Sequence, residues 1–337
     1  MNDTSQVATT VIGAGAWGTA LATLLAGNGQ PVRLWARNPD QLRRMAASGV
    51  NDEYLPDIPL PQSLQFEADL QTAVAASRDL LLVVPSHAFR QSLEAVRPHI
   101  SADSRLIWAS KGFEPGTSRL LHQIAEDVLG AERAMAVITG PTFALEVARG
   151  LPTAITVAST DHDFATEIAA RLHNDAFRAY STTDVTGAEV GGAVKNILAI
   201  AAGIADGLGF GANARAALIT RGLTEIMRLG EALGGYKETL MGLAGLGDLV
   251  LTCTDDQSRN RRFGLALGRG MTIAEARASI KQVVEGIDAA REARHLAASL
   301  GIEMPITEQV YEVLFNGRAP REAVHQLLTR EQKAESI

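Results

Sequence analysis

The sequence predicts an α/β protein in which a mostly parallel β-sheet with helices on both faces is followed by an all-α C-terminal part. In the first half, short apolar runs rich in β-branched residues alternate with helical patterns, which is the order of a parallel sheet. The composition shifts near Thr183–Gly192, and beyond it only helical patterns remain. We therefore predict two domains, residues 1–188 and 189–337.

Each predicted strand of the first domain is a short apolar run, and the helices between them carry apolar residues at helical spacing. The predicted strands are Val7–Ile12, Val32–Ala36, Leu80–Val84, Arg105–Ala109, Ala134–Ile138 and Ala154–Ala158. The predicted helices are Thr19–Ala26, Gln41–Ser48, Gly116–Leu129 and Phe164–Leu172. Leu55–Pro61 is rich in proline and is predicted to be a loop.

The second domain is predicted to be entirely helical because its apolar residues recur at helical spacing over long stretches. Its predicted helices are Glu189–Leu208, Ala212–Leu233, Thr272–Ser279, Gly286–Leu300, Thr307–Leu314 and Arg321–Leu327. Pro305 suits the first position of one of them. A helical domain that follows an α/β domain leaves a cleft between them in which a small substrate can be enclosed.

Composition excludes several classes of protein. The net charge of −7 over 337 residues argues against a nucleic-acid partner. The single cysteine, Cys253, excludes an intrachain disulfide framework and suits a cytoplasmic location. The N-terminus lacks the pattern of a signal peptide, and the longest apolar run, Ile197–Ala205, is too short to span a bilayer. We therefore expect no membrane insertion. The seven histidines are scattered, and no metal site is predicted.

The turn after the first predicted strand carries the most specific motif. Gly13-Ala14-Gly15-Ala16-Trp17-Gly18 lies between a strand and a helix, which is the context of a dinucleotide fingerprint. Gly13 permits the tight turn, Gly15 lets the backbone approach a pyrophosphate, and Gly18 lets the helix lie close to the strand. This motif predicts that the first domain is of the Rossmann type.

The end of the second strand indicates which dinucleotide binds. NAD-specific sites usually place an acidic residue there to bind the ribose 2′-hydroxyl, whereas this strand ends in Trp35-Ala36-Arg37-Asn38. The guanidinium of Arg37 suits a 2′-phosphate. We therefore favour NADP(H) as the cofactor, with use of both NADPH and NADH as the alternative. A solvated arginine without a ligand is a second alternative.

Two further motifs follow predicted strands, at the edge of the sheet where ligands bind. In Gly140-Pro141-Thr142-Phe143-Ala144, Pro141 is expected at the first position of a helix, so that free amides and the Thr142 hydroxyl face an anion. In Ser110-Lys111-Gly112, Lys111 adds a positive charge at the same edge. A surface lysine in a turn is the alternative for Lys111.

Lys195 is expected at the start of a helix, among small and apolar neighbours. An ionised lysine is costly there unless it is paired or reaches a polar cleft, so Lys195 is a candidate proton donor to a carbonyl that becomes an alkoxide. A lysine whose ammonium reaches water is the alternative. Asp248, in the predicted loop Gly242–Leu249, can cap the following helix, bind substrate hydroxyls or hold Lys195.

The segment Ser258-Arg259-Asn260-Arg261-Arg262 offers hydroxyl, guanidinium and amide donors in succession, a set that suits a phosphate. For Arg261 and Arg262, a solvated basic turn is the default expectation. Cys253 is expected to be buried and unreactive.

Taken together, the motifs resemble the bacterial-type NAD(P)-dependent glycerol-3-phosphate dehydrogenases, and the resemblance covers nearly the whole chain. The motifs that carry it are GAGAWGTALA at 13–22, VVPSH at 83–87, SKG at 110–112, GPTFA at 140–144, GGAVKN at 191–196, GLAGLGDLVLTCT at 242–254, SRNRRFG at 258–264 and VVEG at 283–286.

The resemblance implies roles for individual residues. Lys195 corresponds to the catalytic lysine of the family. The implied glycerol phosphate contacts are Lys111, Gly140, Thr142, Lys195, Asp248, Ser258, Arg259 and Asn260. The implied cofactor contacts are Ala16, Trp17 and the rest of the fingerprint turn, with Arg37, Lys111, Ala144, Arg259, Val283 and Glu285. The family often has serine at the position of Ala16, so a backbone contact would be retained there and a hydroxyl contact would be lost.

The resemblance also implies an activity, the reversible reduction of dihydroxyacetone phosphate to sn-glycerol 3-phosphate by NADPH or NADH, which supplies phospholipid synthesis. The expected partner is this small three-carbon phosphate, and a homodimer is one option for the oligomeric state. An NADP-dependent 2-hydroxy-acid or ketopantoate-type reductase of similar architecture is the alternative, although the Ser258–Arg262 donors favour phosphate over carboxylate. A third alternative is a regulatory protein that senses the nicotinamide cofactor without catalysis. Such a protein would need no lysine near the domain boundary.

Overall fold

The protein, represented by a computed structural model, is described over residues 7–280 and 282–331. The chain divides into two compact units. The first contains the residues up to Ser110 together with Leu121–Val185, and the second contains Lys111–Leu120 and the residues from Thr186 onward. This division differs from a single cut after residue 188 because the short segment Lys111–Leu120 groups with the helical part.

The first unit is built on an eight-stranded sheet of strand order β10-β9-β8-β7-β6-β1-β2-β5. All neighbouring strands are parallel except β8 and β9, which are antiparallel. The mostly parallel α/β fold predicted from the sequence is thus confirmed. The strands of the unit are β1 (Val7–Ile12), β2 (Val32–Trp35), β3 (Val50–Asn51), β4 (Leu55–Pro59), β5 (Gln65–Glu67), β6 (Ser77–Leu82), β7 (Arg105–Trp108), β8 (Met135–Thr139), β9 (Thr153–Ala158) and β10 (Phe177–Thr182).

Seven α-helices lie between the described strands of this unit. They are α1 (Ala16–Gly27), α2 (Pro39–Ser48), α3 (Leu70–Ala75), α4 (Phe89–Val96), α5 (Leu121–Leu129), α6 (Ala144–Ala148) and α7 (His162–Leu172). Their apolar faces pack against the sheet, as shown by Leu21 and Leu25 of α1, which share a core with Leu34 and Leu81 of the strands. The predicted helix from Gly116 begins only at Leu121.

The prediction of a loop at Leu55–Pro61 is wrong. Leu55–Pro59 forms β4 and pairs antiparallel with β3 in a separate two-stranded sheet. Both strands are at an edge, where the missing proline amide is tolerated. Leu55 and Ile58 are buried and anchor β4 in the core, which overrides the local signal for a loop. Strands β3, β5 and β10 were also not predicted.

Apart from the segment 111–120, the second unit is helical within the described residues, as the sequence predicts for residues 189–337. After α8 (Val185–Gly207), its helices are α9 (Ala212–Ala232), α10 (Lys237–Met241), α11 (Asp248–Thr254), α12 (Arg259–Gly268), α13 (Ile273–Ser279), α14 (Glu285–Ser299), α15 (Pro305–Phe315) and α16 (Pro320–Leu328). Pro305 is the first residue of α15, in agreement with its predicted position. The core of the unit is formed around α8 by apolar residues of the other helices.

Helix α8 is long and apolar enough to cross a membrane by length and composition, with a mean hydropathy of 1.4 in its most apolar window. That window is completely buried inside the structure. The helix extends well beyond the apolar run Ile197–Ala205 that the sequence singles out. Its apolar character on all sides is explained by its position in the core of the second unit.

Candidate active site

The fingerprint turn connects β1 to α1, and two of its glycines are required by contact. Gly13 has φ +119°, and a Cβ there would collide with the backbone oxygen of Val83. A Cβ at Gly18 would collide with the backbone oxygen of Gly13. These two contacts give the steric roles that the sequence assigns to Gly13 and Gly18.

Gly15 differs from its two neighbours in the motif because a Cβ at Gly15 would meet nothing within 4 Å. It is the N-cap of α1, and no side chain caps the helix. The amides of the first turn are therefore free to bind an anion that approaches through the open space beside Gly15. Ala16 and Trp17 are half-buried in this turn. The residues present fit the pyrophosphate of a dinucleotide.

Trp17 carries a second signal, since its indole Nε1 is buried and has no hydrogen-bond partner among the described residues. A buried donor without a partner is rare in folded proteins. Arg37, the other predicted cofactor residue near this turn, is exposed and forms no ion pair with a described residue. Its guanidinium therefore does not have to leave a protein partner in order to bind a phosphate.

The prediction that Pro141 starts a helix is wrong. Helix α6 has five residues and begins at Ala144, with Phe143 as its N-cap. The Thr142 hydroxyl donates to the carbonyl of Gly140 at 3.3 Å, and Gly140 has φ +146°. The segment is thus a turn after β8, and the expected row of helix-start amides behind Pro141 is not formed.

Lys111 belongs to the second unit, on a β-hairpin formed by residues 111–120. Phe113 and Leu120 pair across the hairpin and are both buried in the core of that unit. Glu292 of α14 accepts hydrogen bonds from the amides of Gly116 (2.9 Å) and Ser118 (3.1 Å) at its tip. The hairpin is therefore anchored at its apolar pair and at its tip.

The side chain of Lys111 reaches Asp248, and Lys195 reaches the same carboxylate from α8. Lys111 Nζ donates to Asp248 Oδ2 at 2.7 Å, and Lys195 Nζ donates to Asp248 Oδ1 at 2.5 Å. Lys195 also donates to Thr252 Oγ1 at 3.1 Å. Three residues that are far apart in the sequence, Lys111, Lys195 and Asp248, are thus brought together. With Thr252 they form what we call the lysine–aspartate cluster (Lys111, Lys195, Asp248 and Thr252).

Two details of this cluster correct the predictions. Lys195 lies in the interior of α8 and not at its start. The predicted loop Gly242–Leu249 is a π-helical turn, Leu243–Gly247, followed directly by α11. Asp248 lies in the first turn of α11 without capping it, and the alternative in which it holds Lys195 is the one observed.

Close backbone packing places the two elements of the cluster together. A Cβ at Gly191 of α8 would collide with the backbone oxygen of Ala244 in the π-helical turn. Because Gly191 lacks a Cβ, α8 can approach the turn that leads into Asp248. Single π-helical turns often occur at functional sites, and here the turn sets the position of the aspartate relative to Lys195.

The electrostatics of the cluster favour a lysine that can give up its proton. The pKa of Lys195 is lowered to about 8, mainly by burial and in addition by the charge of Lys111, while Asp248 and Glu285 oppose the shift. An amine with a pKa near the working pH is suited to general acid and base catalysis. Asp248 itself is only 1% exposed and is flanked by two cations.

Ser258, Arg259 and Asn260 lie at the start of α12. The Ser258 hydroxyl caps this helix by accepting from the Arg261 amide. Asn260 is buried, and its Nδ2 donates to Asn196 Oδ1 at 2.9 Å, so the predicted phosphate donors are linked to the residue next to Lys195. Arg259 is half-buried. This link joins the start of α12 to the same region of α8.

The default expectation for Arg261 is wrong, because it is buried and not a solvated basic residue. It forms ion pairs with Asp206 and Asp256 and donates to the carbonyl of Cys253. Cys253 is buried as expected, and burial raises the pKa of its thiol to about 12. Neither residue is available to a ligand.

The remaining predicted residues lie near the start of α14. Glu285 is its first residue and is half-buried, and Val283 precedes it and is exposed. Among the described residues, no group of three or more His, Cys, Asp or Glu side chains could hold a metal ion.

Sequence reasoning missed Thr252 and Asn196. Thr252 lies one helical turn after Asp248, so the spacing of four residues was a usable signal. Asn196 follows Lys195 directly, and its buried Nδ2 has no partner among the described residues. Only the fold reveals that the Nδ2 of Asn196 has no partner among the described residues while its Oδ1 accepts from Asn260.

Comparison with known proteins shows matches over nearly the whole chain. The family model described as NAD-dependent glycerol-3-phosphate dehydrogenase N-terminus matches residues 8–165, and the model for the C-terminus matches residues 184–325. A protein of Nitrosococcus oceani named glycerol-3-phosphate dehydrogenase [NAD(P)+] is 57% identical over 334 residues, which are 99% of this chain and 97% of the relative. A relative of the same name from Enterobacter sp. is 55% identical over 98% of both chains.

Solved structures give the same picture. The crystal structure of glycerol-3-phosphate dehydrogenase from Coxiella burnetii matches with a TM-score of 0.93 at 50% identity, over 96% of this chain and 99% of that one. A ketopantoate reductase from Ralstonia eutropha matches with a TM-score of 0.59 at 19% identity, over 94% of this chain and all of that one. The second match is a likeness of fold alone.

Proposed function

Because the chain belongs to the NAD-dependent glycerol-3-phosphate dehydrogenase family, we propose that it catalyses the reversible reduction of dihydroxyacetone phosphate to sn-glycerol 3-phosphate with NAD(P)H. Relatives that share more than half of its residues are named for this activity. The lysine–aspartate cluster is the single structural observation that carries the proposal, since it holds a buried lysine whose pKa is lowered to about 8.

Each residue of the cluster has a role in this proposal. The nicotinamide cofactor supplies the hydride to C2 of the substrate when it is bound. Lys195 gives its proton to the oxygen at C2 as that oxygen becomes an alkoxide, and takes the proton back in the reverse direction. Asp248 and Thr252 orient the ammonium of Lys195 through their hydrogen bonds. Lys111 adds positive charge that stabilises the developing anion.

The phosphate of the substrate is assigned to the donors at the start of α12. Ser258, Arg259 and Asn260 provide hydroxyl, guanidinium and amide groups there, and a guanidinium binds phosphate oxygens in a bidentate manner. The hydrogen bond from Asn260 to Asn196, the residue beside Lys195, supports one binding region for both ends of a three-carbon phosphate. Gly140 and Thr142 remain predicted substrate contacts.

The fingerprint turn is the proposed site of the dinucleotide, with Gly13, Gly15, Ala16, Trp17 and Gly18 around the pyrophosphate. NADP(H) is the proposed preference because Arg37 follows β2 where NAD-specific sites carry an acid. The other proposed cofactor contacts are Lys111, Ala144, Arg259, Val283 and Glu285. A cytoplasmic location, a supply role in phospholipid synthesis and a homodimer remain predictions, as do the functional domains 1–188 and 189–337.

A direct assay tests the proposed function. The purified protein is mixed with dihydroxyacetone phosphate and either NADPH or NADH, and the loss of absorbance of the reduced cofactor is followed. We expect turnover with both cofactors, a higher kcat/KM with NADPH, and sn-glycerol 3-phosphate as the product. Ketopantoate serves as the comparison substrate and should give little turnover. Binding of NADPH without turnover of either ketone would refute the proposal and favour a sensor of the cofactor.

A further inference from the structure

The carbonyl of Ala14, in the middle of the fingerprint turn, accepts hydrogen bonds from two side-chain amides. Gln41 Nε2 of α2 donates to it at 2.7 Å, and Asn51 Nδ2 of β3 donates at 3.0 Å. Both side chains are buried, Gln41 at 7% exposure and Asn51 at 0%. Two buried amides on one backbone oxygen form a clamp that fixes the direction of this carbonyl.

The orientation of the Asn51 amide is determined by its partners. A carbonyl oxygen can only accept, so the group that faces Ala14 O must be the NH2 of Asn51. The same Nδ2 also donates to Thr19 Oγ1 at 2.8 Å. Asn51 Oδ1 is buried and has no partner among the described residues. Leaving a buried acceptor without a partner costs free energy. In this fold the Asn51 amide nevertheless stays directed at the carbonyl of Ala14.

The clamp has a direct consequence for the next amide. The peptide group is planar and trans, so the C=O of Ala14 and the N–H of Gly15 point in opposite directions. Because the carbonyl is held toward the interior by Gln41 and Asn51, the Gly15 amide is turned away from it. Gly15 is the residue beside which a Cβ would meet nothing within 4 Å. The clamp thus determines where the first backbone donor of the turn points.

We propose that Asn51 and Gln41 are positioning residues for the dinucleotide, which hold the Ala14–Gly15 peptide so that the Gly15 amide faces the pyrophosphate. This inference rests on the proposed function, since it concerns the cofactor site of that reaction. Neither residue touches the cofactor in this proposal. Their effect is exerted through one peptide group.

The small sheet of β3 and β4 supplies Asn51 at this place. Gly49 ends α2 with φ +70° and turns the chain back, and the register irregularity between Val50 and Asn51 directs Asn51 inward. Leu55, which pairs with Asn51 across the sheet, is buried and anchors the hairpin. Strand β4, which was predicted to be a loop, therefore helps to hold Asn51 in the clamp.

The first test is the isosteric substitution Asn51→Asp, with NADPH affinity measured by fluorescence titration. It places a carboxylate oxygen against Ala14 O, which should turn the peptide and weaken NADPH binding by more than about tenfold. ADP-ribose contains the pyrophosphate and lacks the nicotinamide, so its affinity should fall by a similar factor. Gln41→Leu removes one bond and keeps Asn51, and it should weaken both ligands by about three- to tenfold.

Asn28→Asp is the matched control. The Asn28 amide also donates to backbone carbonyls, of Arg171 at 3.0 Å and Leu172 at 3.2 Å, but at the opposite end of α1. It should lower the melting temperature and leave the NADPH affinity unchanged.

Folded Asn51→Asp and Gln41→Leu proteins with wild-type affinity for NADPH would overturn the proposal, as would an equal loss of affinity in Asn28→Asp. If Asn51→Asp does not fold, Gln41→Leu alone decides. If the wild-type protein turns over substrate and these variants bind NADPH normally, only the clamp is refuted. If the wild-type protein binds no dinucleotide, the proposed function is refuted as well.

Discussion

The fingerprint turn of the first unit and the lysine–aspartate cluster of the second unit are built in different ways. The turn is one continuous segment, Gly13–Gly18, and it presents backbone amides. The cluster joins side chains from a hairpin, from α8 and from α11, with Lys111 and Asp248 137 positions apart. Backbone donors are set by local conformation and by contact, whereas buried charges depend on partners that other elements supply. The two regions should therefore respond differently to substitution.

The largest effect is expected at Lys195. Lys195→Ala should lower the kcat for dihydroxyacetone phosphate reduction by about 10²–10⁴-fold, because the proton donor is lost. The affinity for NADPH should stay near that of the wild type, because Lys195 is not among the proposed cofactor contacts. Steady-state kinetics and fluorescence titration measure the two quantities. A kcat close to wild type would exclude Lys195 as the proton donor.

A pair of glycine substitutions separates contact from ligand approach within the turn. Gly18→Ala should destabilise the protein by about 1–3 kcal/mol, because its Cβ collides with the Gly13 backbone. Gly15→Ala should cost less than about 1 kcal/mol, because its surroundings are open and only a favourable N-cap is lost. Thermal unfolding measures this difference.

The effect on NADPH binding is expected to be opposite to the effect on stability. Gly15→Ala should weaken NADPH binding by about tenfold, since a methyl group would occupy the space assigned to the pyrophosphate. Wild-type affinity in Gly15→Ala would show that the dinucleotide does not approach this residue.

The pH dependence tests the cluster alone. The reduction of dihydroxyacetone phosphate needs a protonated Lys195, so the kcat of this reaction should fall as the pH rises through about 8. Because Lys111 lowers the pKa of Lys195, Lys111→Met should move this fall to higher pH, in addition to lowering the rate. A pH profile of kcat for each protein measures the shift. An unchanged midpoint would argue against electrostatic coupling between the two lysines.

The free energy of unfolding should also depend on pH through Lys195, and the direction of this dependence follows from the lowered pKa. The pKa of Lys195 is lower in the folded protein than its ordinary value of 10.5, so between about pH 8 and 10.5 the unfolded chain binds the proton that the folded chain releases. The contribution of Lys195 to the free energy of unfolding therefore rises with pH in this window. In Lys195→Met this contribution should be absent, which denaturant titrations at pH 8 and 10 can detect.

The smallest effect is expected at Arg37, which is exposed and therefore screened by salt. Arg37→Asp should weaken NADPH binding by about tenfold or less and NADH binding by less than that. The ratio of the two dissociation constants at low and moderate ionic strength measures the preference. Equal losses for both cofactors would argue against contact with a 2′-phosphate.

Most of the first unit could be predicted because its signals are local. Val7–Ile12 is a strand with the predicted bounds, and Gly13 and Gly18 have the contacts that the motif requires. The errors are at places where packing overrides local preference. Leu55–Pro59 contains two prolines and still forms a strand, because Leu55 and Ile58 are buried. Pro141 is in a turn and not at a helix start.

In the second unit the helices were predictable and the cluster was only partly so. Lys195 and Asp248 stand out in the sequence as charges among small and apolar residues, but their pairing depends on the close approach of α8 and the π-helical turn at Gly191. The burial of Arg261 could not be predicted, because its partner Asp206 lies 55 positions earlier in the chain.

The sequence by itself determined the alternation of strands and helices in the first unit, the helical character of the second, the fingerprint turn and the family. These depend on residue spacing and on glycines whose conformation is a local property. Only the tertiary structure decided which charges share one carboxylate and which amides hold the carbonyl of Ala14. The physical reason is that burial and pairing of polar groups depend on elements that are distant along the chain, and the free energy of each polar group is set by those neighbours.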